Sequence, residues 1–187
     1  MHIITGPVGI ANAMPGDKLA IEILDIAPLG PAFTFADSGL GFLDDIPDYR
    51  DWVWWKKVGN VWKTPKLPNV EIPYEPFPGS IGVLPSAEYV KMKLAHHDNE
   101  TSIYGGAAWP VNPFQAIPES ICGESGSRPE YCLRTMAGGD FFGNTDTQRM
   151  GIGTTLFLTC QVAGCGLGMG DIHGAQGDVS SRPPPGP

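Results

Sequence analysis

Glycine (25 residues) and proline (19) interrupt this 187-residue chain from one end to the other. Proline removes an intrahelical donor and glycine weakens a helix interior. Few long helical registers survive such spacing, whereas short strands joined by tight turns and long loops tolerate it. The chain is long enough for one domain with a core of its own. The sequence therefore predicts a mainly β domain over residues 1–178, with few helices and long Gly/Pro-rich loops. The last nine residues, 179–187, are low in complexity and rich in proline, and read as a disordered or polyproline tail.

Several segments carry clear local signals. Pro15-Gly16 is a type II turn signal, and the alternating run Leu19–Ile26 after it reads as a strand. Trp52–Lys63 reads as two short strands joined at Gly59-Asn60, with tryptophans for the core or a subunit contact. Ile81–Leu84 reads as a short buried strand and Gly153–Val162 as a strand. Ser86 is a good N-cap for a helix running to Leu94. Pro28–Asp51 reads as an acidic surface loop in which Gly39–Leu43 forms a flap. Residues 99–137 read as a loop or insertion, and His96-His97-Asp98 just before them as solvated loop.

Twelve basic residues against twenty acidic ones give a net charge of −8. That balance argues against a nucleic acid or an anionic membrane as partner. No apolar run reaches the length of a membrane span, and the first residues lack a basic region followed by an apolar one. Cys122, Cys132, Cys160 and Cys165 do not form a Cys-x2-Cys zinc pattern. Free buried thiols are expected of them, with a Cys122–Cys132 bridge as the alternative in an oxidising compartment.

Residues Gly164–Asp178 set Asp171, His173 and Asp178 among glycines. In extended chain, residues i and i+2 point to one side, so Asp171 and His173 are expected to project together. A carboxylate and a neutral imidazole suit zinc or another divalent ion. Gly170, Gly174 and Gly177 are expected to take positive φ or to admit a substrate close to the backbone. Asn144 and Asp146 share a side if their segment is extended, and are candidates for the same cluster. The competing reading makes the aspartates turn caps and His173 an ordinary loop histidine.

Taken in order, several of these stretches resemble the acetamidase/formamidase family of amide hydrolases. They are Thr5-Gly-Pro-Val, Pro15-Gly-Asp-Lys-Leu-Ala-Ile-Glu-Ile-Leu-Asp-Ile, Pro78-Gly-Ser-Ile-Gly-Val-Leu-Pro-Ser, Gly143-Asn-Thr-Asp, Gly153-Thr-Thr-Leu-Phe-Leu and Gly170-Asp-Ile-His-Gly-Ala-Gln-Gly-Asp. The resemblance implies a jelly-roll-like β-sandwich, hydrolysis of formamide or acetamide to a carboxylic acid and ammonia, and a cytoplasmic homo-oligomer. It also implies a divalent metal, zinc or calcium. On that reading Asp171 and His173 are ligands, and Asp178 or Asp146 is a general base or third ligand. Asn144 and backbone N–H groups then serve the oxyanion, in a small pocket suited to one- or two-carbon acyl groups.

The sequence departs from the family pattern in three places. Little chain precedes Thr5, Asp140-Phe-Phe interrupts the Gly-Gly-Asn-x-Asp string, and Val179 stands where the family continues Gly-Glu. Truncation at both ends is expected from this, and a catalytically inactive β-rich fragment is the alternative to an active enzyme. A cysteine nucleophile at Cys160 or Cys165 is a weaker third reading.

Overall fold

The computed structural model describes residues 2–37, 46, 48–104, 116–135 and 138–177. The flap at Gly39–Leu43, Asp178 and the tail 179–187 lie outside the described residues. Within them the fold is mainly β, with eleven strands in three sheets and two α-helices, in line with the fold class expected. The chain divides into two compact units. Unit 1 takes Met1–Ile21, Gly79–Thr145 and Leu156–Asp171; unit 2 takes Glu22–Pro78, Asp146–Thr155 and Ile172–Pro187.

Unit 1 is built on strands β1 (Ile4–Val8), β2 (Lys18–Glu22), β7 (Phe77–Gly82), β8 (Gly138–Gly139), β9 (Phe142–Asn144), β10 (Thr155–Thr159) and β11 (Leu167–His173). The five-stranded sheet runs in the order β1-β11-β7-β9-β8, and β10 pairs with β2. β1 and β11 are antiparallel, with Ile4 opposite Gly170. A Cβ on Gly170 would lie 2.0 Å from the Ile3 carbonyl oxygen, so only glycine lets β1 approach this closely. The Pro15-Gly16 turn forms as expected: Asp17 N–H donates to Met14 C=O at 3.1 Å, and Gly16 takes φ +95°.

Helix α1 (Ala87–Tyr104) starts where the sequence marks it, Ser86 Oγ accepting from Tyr89 N–H at 3.1 Å. It runs past Leu94, so the backbone of His96–Asp98 is helical, not the loop expected. A second short helix, α2 (Glu119–Cys122), and a 3₁₀ turn at Pro129–Tyr131 lie within the stretch read as loop or insertion.

Two disulfides, Cys122–Cys132 and Cys160–Cys165, use all four cysteines. This corrects the expectation of free thiols and removes both candidate nucleophiles. The turn before Cys165, closed by its N–H donating to Val162 C=O and by Gly164 at φ +76°, brings its Cα within 4.7 Å of Cys160. Five residues of separation gave no sign of that turn.

Unit 2 carries a four-stranded antiparallel meander: β3 (Ala32–Asp37), β4 (Arg50–Val58), β5 (Val61–Lys63) and β6 (Glu71–Pro73). The hairpin at Gly59-Asn60 is as expected, Val58 facing Val61. β3 and the start of β4 fall in the stretch read as acidic loop. Their register sets Phe33 against Trp54 and Phe35 against Trp52. Those four rings are exposed, whereas Trp55 and Trp62 are buried. The tryptophan run is thus core only in part, because alternation along β4 sends every second ring outward.

Candidate active site

In unit 2 the end of β11 is held by its next residue. The Gly174 carbonyl accepts from the Trp62 indole N–H at 3.1 Å and from Glu75 N–H at 3.0 Å. A Cβ on Gly174 would stand 2.6 Å from the Trp62 ring, so this glycine makes room for the protein's own indole. Neither Gly170, Gly174 nor Gly177 takes positive φ. That part of the sequence reading is corrected: the first two are required by neighbours in the fold. Positive φ falls instead on Gly164, Cys165, Gly166 and, between the candidate glycines, on Asp171 at φ +50°.

His173, fixed by that anchor, lies on Phe77, with ring centroids 5.0 Å apart and planes 22° from parallel. Phe77 is fully buried. His173 Nε2 stands 3.8 Å from Asp146 Oδ1, and both side chains are about one-fifth exposed. Asp146 Oδ1 itself is buried and accepts no hydrogen bond among the described residues. A separation of 3.8 Å exceeds hydrogen-bond length. It is close to the spacing of two ligands about one cation: with bonds of about 2.0–2.2 Å, tetrahedral ligands sit roughly 3.4 Å apart. An orphaned buried carboxylate oxygen facing an imidazole nitrogen therefore fits a shared divalent ion.

Asp171 belongs to unit 1, two residues before His173 on the same strand. Both are half-buried and Ile172 between them is exposed. The Asp171 carboxylate meets Nδ1 of His2. His2 is held in turn by Thr135: His2 N–H donates to Thr135 Oγ1 at 3.1 Å, and Thr135 O–H donates back to His2 C=O at 2.7 Å. Sequence reading missed His2, which sits outside any motif, and Phe77, which lies in a proline-punctuated run that gives no hint of a ring beneath a histidine.

Asn144 and Asp146 do not share an extended side. β9 ends at Asn144, and Asp146 takes φ +46°, which breaks the alternation. In unit 1, Ser80 Oγ donates to Asn144 Oδ1 at 3.2 Å, fixing which edge of the carboxamide still presents donors.

The profile described as the Acetamidase/Formamidase family matches residues 1–181. This chain belongs to the acetamidase/formamidase family. A formamidase from Methylophilus methylotrophus is 29% identical over 95% of the chain, and an acetamidase from Mycolicibacterium smegmatis 28% identical over 95%. The alignments span 46% and 48% of those proteins, so the chain covers about half the length of the curated relatives it matches. Among solved structures, a gamma lactamase from Delftia acidovorans superposes with a TM-score of 0.82 at 28% identity. That match covers 94% of this chain and 46% of the other. The two ends of the Gly-Asp-x-His string that suggested the family are the residues that pair with His2 in unit 1 and Asp146 in unit 2. No helix among the described residues is long and apolar enough to cross a membrane.

Proposed function

We propose that this member of the acetamidase/formamidase family hydrolyses the C–N bond of short linear amides such as formamide and acetamide, yielding a carboxylic acid and ammonia. The observation that carries this reading is the His173–Asp146 pair, whose unpartnered carboxylate oxygen lies at cation-sharing distance from the imidazole. Names of relatives supply the amide class. Asp146, His173 and, next along β11, Asp171 are the residues that would hold a divalent ion, zinc or calcium. When bound, such an ion polarises an amide carbonyl and acidifies water.

The chain's own groups do the rest. Phe77 fixes the imidazole plane, and His2 orients the Asp171 carboxylate. Asn144, its oxygen engaged by Ser80, offers its amide N–H groups to a developing oxyanion. Asp178 is assigned as general base or third ligand. Assembly as a homo-oligomer is part of the proposal. The cytoplasmic location expected from the resemblance stands against the two disulfides, which favour an oxidising compartment.

Ammonia release from formamide and acetamide tests the reading, with purified protein before and after chelation. We expect loss on chelation, recovery with one added divalent ion, and a fall of about 100-fold or more in kcat/KM for Asp146→Ala and His173→Ala. Full turnover by chelated protein and by both variants would end it.

A further inference from the structure

Unit 1 contains a cavity of about 490 Å³. Its wall is mostly hydrocarbon, with Ile81, Val83, Leu84, Leu133 and Phe141 prominent, and its polar lining groups are His2, Ser80, Tyr131, Thr135 and the buried Arg134. Ile81, Val83 and Ser80 are each at most 4% exposed, so this part of the wall is set by packing.

Acetamide has four heavy atoms and needs roughly 100 Å³, on a scale where a liquid water takes about 30 Å³. The cavity is several times larger and falls within the range of about 300–1,000 Å³ typical of pockets for larger organic ligands. Its hydrocarbon wall favours an apolar occupant, while His2, already tied to Asp171, places an imidazole on the lining.

From this we infer that the unit 1 cavity is an acyl-group site, and that it takes primary amides whose acyl part is a branched or cyclic hydrocarbon of about five to eight carbons. The inference rests on the amidohydrolase reading and revises the expectation of a pocket for one or two carbons. The reaction is unchanged: water adds its oxygen to the acyl carbon, the C–N bond breaks, and the nitrogen leaves as ammonia with its two amide protons and one proton of water, the other staying with the carboxylic acid.

Titration calorimetry with acetamide, butanamide, hexanamide and cyclohexanecarboxamide, run beside ammonia release, tests the site. Affinity is expected to rise roughly fourfold per buried methylene, with cyclohexanecarboxamide at least about tenfold tighter than acetamide. Ala116→Phe and Leu133→Trp, at two lining positions, are expected to erase most of that preference. If these variants do not fold, the length series with the unaltered protein decides alone. A flat series, no measurable binding of the larger amides, or a preference untouched in folded variants overturns the inference. Selective binding without ammonia from any amide supports the cavity assignment and removes only the hydrolytic reading.

Discussion

The imidazole of His173 lies flat against Phe77, ring centroids 5.0 Å apart. A fully buried ring beneath a half-buried histidine restricts the imidazole to one plane, which leaves Nε2 facing Asp146. Phe77→Ala is expected to cost about 3–5 kcal/mol of stability through the cavity it leaves. Phe77→Leu is the sharper test, because it keeps most of the volume and loses the flat surface. It should cost under about 1.5 kcal/mol in denaturant unfolding yet weaken divalent-ion binding about tenfold. Equal losses of stability and ion affinity in the two variants would show that Phe77 only fills space.

His2 touches the Asp171 carboxylate, and its own backbone is clamped from both sides by Thr135. Partly exposed pairs add little stability, about 1 kcal/mol or less. The expected effect of His2→Ala therefore falls on the carboxylate's orientation: divalent-ion affinity drops about 10–100-fold while the unfolding midpoint moves little. His2→Gln, which keeps a donor, should recover part of the loss. Metal titration of the three proteins decides it, and identical ion affinities would remove His2 from the site.

Much of this was legible in the residues. Glycine and proline spacing announced a mainly β fold, Pro15-Gly16 its turn, Ser86 its cap, and the Gly-Asp-x-His string, with the other matching stretches, its family. The failures share a physical cause. Asn144 and Asp146 were put on one side by assuming regular extended chain, and positive φ at Asp146 is a property of one backbone angle that composition does not report. β3 was hidden by the acidic residues around it, because edge and loop segments share that polarity. His2 and Phe77 escaped because long-range pairing, not local pattern, gives them their roles: Asp171 lies at the other end of the chain from His2.

The Cys160–Cys165 bridge closes a very short loop, with both sulfurs buried. Chain entropy removed from the unfolded state gives about 2 kcal/mol for so short a loop, and about 3 kcal/mol for the ten-residue separation of Cys122 and Cys132. The paired substitution Cys160→Ala with Cys165→Ala should destabilise by roughly the first figure, and Cys122→Ala with Cys132→Ala by roughly the second. Denaturant unfolding with and without reductant measures both. Reductant should weaken the unaltered protein and leave a variant lacking all four cysteines unmoved. A protein whose stability is indifferent to reductant would not contain these bridges in solution.

Tyr74 offers a pH test in unit 2. Its hydroxyl donates to the Ile26 carbonyl, and its ring meets Trp62 edge-on with centroids 5.6 Å apart. Burial first, and the charge of Asp25 second, raise its pKa above the ordinary 10.0. Below that ordinary value the phenol is neutral in both folded and unfolded chains, so its stabilising contribution is complete. As pH rises further the unfolded chain releases the proton first. The folded protein then holds more protons, and unfolding becomes easier until the folded-state pKa is passed. Tyr74→Phe is expected to lose about 1 kcal/mol near neutral pH with the missing hydrogen bond. In exchange, it should lose less stability than the unaltered protein between about pH 9 and 11. Parallel stability curves across that interval would show that the phenol's proton is not held by the fold.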